Sequence, residues 1–136
     1  MKQSKFKSLE HEADIKFKIS ANSFKEIFEN ATLAFSDYIS SGKKIKSIKK
    51  KSVKIESDNK ESLFYKFIDE LIFLLDAENF AVSKAEVKID NLSLKAILFG
   101  DTTKNYDLKH VKAATYAEMY IKNSGKNWEA QLVIDV

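Results

Sequence analysis

A chain of 136 residues without cysteine has room for one domain with an ordinary hydrophobic core, and it excludes disulfides, thiolate zinc sites and cysteine nucleophiles. Its basic residues are 23 lysines and no arginine against 20 acidic residues, a net charge of +3, so the overall field is mild and bidentate guanidinium contacts to phosphate or guanine cannot occur. Any RNA contact would rest on lysine point charges, hydroxyls and backbone groups, with no sequence-specific readout expected.

No apolar run is long enough to span a bilayer, and residues 1–5 lead into Phe6 and further lysine rather than into the apolar block of a signal peptide. A cytoplasmic protein without membrane partners is the expectation. Residues 6–9 and 14–20 read as two strands, the second with Ile15, Phe17 and Ile19 on one face and Lys16 and Lys18 on the other. Ser23 followed by Glu26 is a capping-box pattern. The apolar residues Phe24, Ile27, Phe28, Ala31, Phe35 and Tyr38 then recur at helical spacing until Ser40-Ser41-Gly42.

Residues 43–51 carry a run of lysines and read as a solvated loop before an alternating strand that begins with Val53 and Ile55. Asp58 and Glu61 suggest a second capping box, opening a helix whose stripe runs through Phe64, Phe67, Ile68, Leu71 and Leu75 to Asp76. From Phe80 the period changes to two, with Asp90-Asn91 between two alternating runs, the pattern of a β-hairpin. Residues 102–110 read as a loop with a short helical turn. Residues 112–122 and 127–135 read as a second hairpin around Asn123-Ser124-Gly125-Lys126. About seven strands and two early helices predict an α+β two-layer sandwich: one mainly antiparallel sheet with both helices on one face, in a single domain over residues 1–136.

The chemistry the chain can carry is narrow. Its three glycines are scattered, so no glycine-rich phosphate loop exists, and the two histidines, His11 and His110, rule out a three-histidine metal centre. What stands out is His11-Glu12-Ala13-Asp14-Ile15 at the start of a strand and Asp135-Val136 at the end of the chain given. If those strands are neighbours, the carboxylates of Asp14 and Asp135 and an α-carboxylate at Val136 converge, an oxygen set that suits a hard cation. Asp14 as a local cap and Asp135 as a solvated residue are the plainer alternatives. Lys112 could bring an opposite charge nearby. A hydrolase using His11 beside Asp14, or an RNA-binding module using the 43–51 lysines, are rival functions.

The sequence resembles the archease family. The resemblance is carried by His11-Glu12-Ala13-Asp14-Ile15, the helix of residues 24–38, residues 67–76 with Phe80, and Ala96-Ile97-Leu98-Phe99-Gly100-Asp101. It continues in Val111-Lys112-Ala113-Ala114-Thr115-Tyr116 and in Trp128-Glu129-Ala130 through Ile134-Asp135-Val136. Glu12 stands where the family pattern has Thr, Lys16 where Gly is common and Ala117 where a His often follows the Tyr. The resemblance implies that Asp14, Asp135 and Val136 bind a divalent metal, calcium in the family, with Mg²⁺ or Mn²⁺ as other candidates, and that Lys112, His11 and Glu12 belong to the same surface. It further implies a non-enzymatic activator of the RNA-splicing ligase. Such a protein promotes guanylylation from GTP and renewed turnover in joining tRNA exons, with RNA contacted through the partner. A chaperone-like role toward a tRNA methyltransferase is also implied.

Overall fold

The computed structural model describes residues 5–10 and 14–136, and only the backbone of residues 8–10. Seven strands and two helices follow in the order β1 (Phe6–Glu10), β2 (Asp14–Ala21), α1 (Phe24–Ile39), β3 (Lys49–Glu56), α2 (Lys60–Ala77), β4 (Phe80–Asp90), β5 (Ser93–Thr102), β6 (Ala113–Ser124) and β7 (Asn127–Asp135). The expected α+β sandwich is present, with its strands divided between two antiparallel sheets. One has the order β1-β2-β7-β6, the other β3-β5-β4.

Strand β7 lies in the interior of the first sheet, between β2 and β6. It therefore buries not only Ala130, Leu132 and Ile134 but also Gln131 and Val133 on its other face. The Gln131 amide donates to the Glu118 carbonyl at 2.7 Å, so its burial leaves no orphaned group there. Against the inner face pack α1 and α2, which meet through edge-to-face contacts of Phe28 with Phe64 and Phe67, each at 5.4 Å between ring centres. The aromatic stripes of both helices are core.

Helix α1 starts where expected: Ser23 Oγ accepts the Glu26 N–H at 3.3 Å, while Glu26 returns to accept the Asn22 N–H at 3.0 Å. It stops because Ser41 turns left-handed at φ 55°, so that the Gly42 N–H reaches the Asp37 carbonyl at 2.8 Å and the Ser41 N–H reaches Tyr38 at 3.2 Å. That pair of bonds is the Schellman closure. Helix α2 corrects the sequence expectation by one residue: Asn59, not Asp58, is its cap, and Asn59 Oδ1 accepts the Ser62 N–H at 2.8 Å. Both residues are competent caps by type, and the extended backbone at Asn59 decides between them.

The lysine run is also only partly a loop. Residues 43–48 connect, with Ile45 buried, but Lys49, Lys50 and Lys51 are already in β3, paired with Gly100, Phe99 and Leu98. Main-chain pairing does not depend on side-chain polarity, and lysine suits an edge strand that must not recruit another chain. The connector is held by a relay: the Lys46 N–H donates to Tyr106 Oη at 3.0 Å, and that hydroxyl donates to buried Asp101 at 2.7 Å. Tyr106 is the main reason the Asp101 carboxyl lies below its ordinary pKa, burial opposing it and the Thr102 N–H reinforcing it. Next to Asp101, Gly100 has no room for a side chain, since a Cβ there would lie 2.2 Å from the Ala81 carbonyl oxygen. The cause is a bulge in β4, where the register moves from Val82 opposite Gly100 to Lys84 opposite Phe99.

Candidate functional site

Strand β2 begins with Asp14 and strand β7 ends with Asp135, and the antiparallel register sets them directly opposite one another. On its other side Asp135 pairs with Ala113 of β6, and the Lys112 N–H donates to the Asp135 carbonyl at 2.9 Å. Buried Val111 fixes the approach of this segment while Lys112 itself is exposed. The alternation that buries Ile15, Phe17 and Ile19 turns Asp14 to the outer face, and the same alternation in β7 buries Ile134 and turns Asp135 to that face. Val136 is half-buried and packs on the core.

Directly opposed residues of an antiparallel pair hold their Cβ atoms about 4.5–5.5 Å apart, and like charges so placed are destabilising. Neither carboxylate has a side-chain ion pair among the described residues. Lys16, two residues beyond Asp14 on the same face, is engaged by Glu118 at 2.9 Å. Glu118 belongs to a wide irregularity of β6 between Thr115 and Tyr120, where it adopts φ 55°. The same irregularity carries Tyr116 onto Tyr65 of α2, ring over ring at 4.2 Å.

The donor types fit a hard divalent cation, since carboxylate and main-chain oxygens are what such ions take. The donor number from side chains is two: no group of three or more His, Cys, Asp or Glu suited to a metal is found among the described residues. His11 and Glu12, the other candidates named from the sequence, lie outside the described residues. His110 is exposed on the segment before Lys112.

Geometry at the far end of the sheet is different. There a cleft of about 630 Å³ is lined by Ser20, Asn30, Asn123 and Trp128, and neither Asp14, Asp135 nor Lys112 contributes to it. Tyr120 donates to Glu129 at its rim, and burial, with that carboxylate second, pushes the Tyr120 hydroxyl up to about 12. Sequence reasoning passed over Tyr120, Glu118 and the Tyr65 to Tyr116 stack, because each depends on which strand or helix lies alongside and leaves no signal in periodicity.

An α+β fold of two antiparallel sheets, with two acidic side chains set face to face where its strands β2 and β7 meet, defines a small protein whose candidate site is a carboxylate pair and not a pocket. The chain belongs to the archease family: residues 6–136 match the model described as the Archease protein family (MTH1598/TM1083). Among its relatives, the protein archease of Pyrobaculum neutrophilum is 35% identical over 137 residues, covering 93% of this chain and 92% of the relative. That of Pyrococcus abyssi is 36% identical over 135 residues, covering 93% and 95%. The solution structure of Methanobacterium thermoautotrophicum protein 1598 is similar at a TM-score of 0.82 and 28% identity, covering 97% of this chain and 99% of that one. The crystal structure of an archease, possible chaperone, from Thermotoga maritima shares the fold at a TM-score of 0.70 and 21% identity, covering 100% and 98%.

Proposed function

We propose that this protein is a non-enzymatic, metal-dependent activator of an RNA-splicing ligase, working in the cytoplasm to promote guanylylation of the ligase from GTP and its repeated turnover in joining tRNA exons. The observation that supports this most directly is the opposed pair Asp14 and Asp135 in a chain of the archease family. In this reading the two carboxylates and a main-chain oxygen of Val136 hold a divalent cation, Ca²⁺ in the first instance with Mg²⁺ and Mn²⁺ as competitors. Bound there, the cation supplies positive charge for phosphate oxygens of the partner's reaction centre.

The contribution of the chain itself is rigidity. Each carboxylate sits on a strand paired through much of its length, and the Lys112 N–H to Asp135 carbonyl bond holds the end of β7 in place. Lys112 then lies beside the site to meet phosphate or a carboxylate of the ligase.

The test is a single-turnover guanylylation assay of the ligase. Asp14→Ala and Asp135→Ala should fold and fail to stimulate, and full stimulation by both would discard the reading. Turnover of GTP or of a phosphodiester by the pure protein, with no ligase present, would instead mark an enzyme. A chaperone-like role toward a tRNA methyltransferase is the second reading, in keeping with the words used for the Thermotoga maritima structure. It requires suppression of that enzyme's aggregation at stoichiometric amounts.

A further inference from the structure

The open face of the second sheet carries a pattern that the ligase reading does not use. Across it, Lys54, Lys95 and Lys88 stand directly opposite one another on the three neighbouring strands β3, β5 and β4. All three are exposed and none forms an ion pair among the described residues. Like charges in direct cross-strand register are destabilising, so this row works against folding and is not explained by it.

Four residues along the strands, a second row reads Lys50, Phe99, Lys84 in the same cross-strand register. Phe99 is half-exposed at the middle, with the Lys50 ammonium 5.7 Å and the Lys84 ammonium 5.2 Å from its ring centre. Between the rows Ile97 is 39% exposed on the central strand. Its neighbour Glu86 is the one carboxylate within these three rows. At about 3.4 Å per residue the two lysine rows are roughly 13–14 Å apart. On the central strand Phe99 is thus flanked on both edges by ammonium groups, and Ile97, between Ser52 and Glu86, lies between that row and the row of three lysines.

We propose that this face binds single-stranded RNA without sequence preference, bases lying on Phe99 and Ile97 and phosphates meeting the flanking lysines. A half-exposed ring in the middle of a basic sheet, once its two lysines move aside, is of use to an unpaired base, whereas a duplex, its bases already stacked, could engage only the charges. As a base covers the ring, the Lys50 and Lys84 ammonium groups exchange their contact with it for the adjacent phosphates. The lack of arginine removes bidentate base readout and is consistent with binding blind to sequence. This inference is independent of the metal site and of the ligase.

The test uses the full chain and a fluorescent oligouridylate of roughly a dozen nucleotides, followed by anisotropy between about 50 and 200 mM salt. Phe99→Leu, on the solvent side of the sheet, should weaken binding about 10-fold. The combined Lys54→Gln, Lys88→Gln, Lys95→Gln variant should fold at least as well as the parent and lower the slope of log affinity against log salt by about 2. Lys122→Gln with Lys126→Gln, on the β6–β7 hairpin, should change neither quantity beyond a general charge effect. Absence of binding at low salt, an equal loss from the hairpin variant, or equal affinity for duplex RNA would overturn the proposal. So would displacement by poly-glutamate at matched charge with Phe99→Leu silent.

Discussion

Asp14 and Asp135 face each other across β2 and β7, and the chain thereby spends folding energy to hold two like charges in register at one end of its first sheet. A cation held there, as proposed, would reverse the sign of that cost. Asp14→Asn should therefore leave the unfolding free energy in chelator unchanged or slightly raised, by no more than about 0.2–1 kcal/mol, the contribution of a cross-strand pair. If the pair holds Ca²⁺ as proposed, the stabilisation expected for the parent, about 2.7 kcal/mol at a hundredfold excess over Kd, should be lost in the variant. Thermal unfolding with and without Ca²⁺ reads both effects, and an undiminished Ca²⁺ shift in the variant would remove Asp14 from the site.

The two helix starts allow a comparison within α2. Asn59→Ala should cost about 1 kcal/mol in urea unfolding because it removes the acceptor for the Ser62 N–H, whereas Asp58→Ala should lie within about 0.5 kcal/mol of the parent. Equal losses at both positions would place the cap wrongly.

Gly100 tests the bulge of β4. With the Ala81 carbonyl 2.2 Å from where a Cβ would stand, Gly100→Ala must displace backbone in the central strand of its sheet. A loss of at least about 2 kcal/mol is expected. A variant as stable as the parent would mean that β4 relaxes there freely.

Two titrations give opposite signs. The folded-state pKa of Asp101 is lowered, chiefly by the Tyr106 hydroxyl, so its contribution is full above the unfolded carboxylate value of about 3.9 and is lost as pH falls below that through the folded value. Tyr106→Phe should raise the pH at which acid unfolding begins. Tyr120 is raised to about 12, so its contribution is full below the unfolded value near 10 and is lost as pH rises from there through 12. Tyr120→Phe should abolish that alkaline loss, which stability measured at pH 9 and 11 would report.

The residues themselves determined the local elements. Periodicity marked α1 and α2 through their aromatic stripes, alternation marked β2 and the β4–β5 hairpin, and side-chain type narrowed the chemistry to carboxylate oxygen. The meeting of Asp14 with Asp135 was legible only as a condition: alternation sets Asp14 at the start of one strand and Asp135 at the end of another, and the pairing of β2 with β7 then makes them neighbours. Tertiary structure decided the rest: that seven strands divide into two sheets, that Lys49 to Lys51 belong to a strand, that Asn59 caps α2, and that Lys54, Lys95 and Lys88 form one row. Apart from the Asn59 cap, which the local backbone decides, those facts arise from register between segments distant in sequence. Backbone hydrogen bonds form equally well in many registers, so the choice falls to turn geometry and to the burial of one face against elements remote in sequence, which exist only in the folded chain.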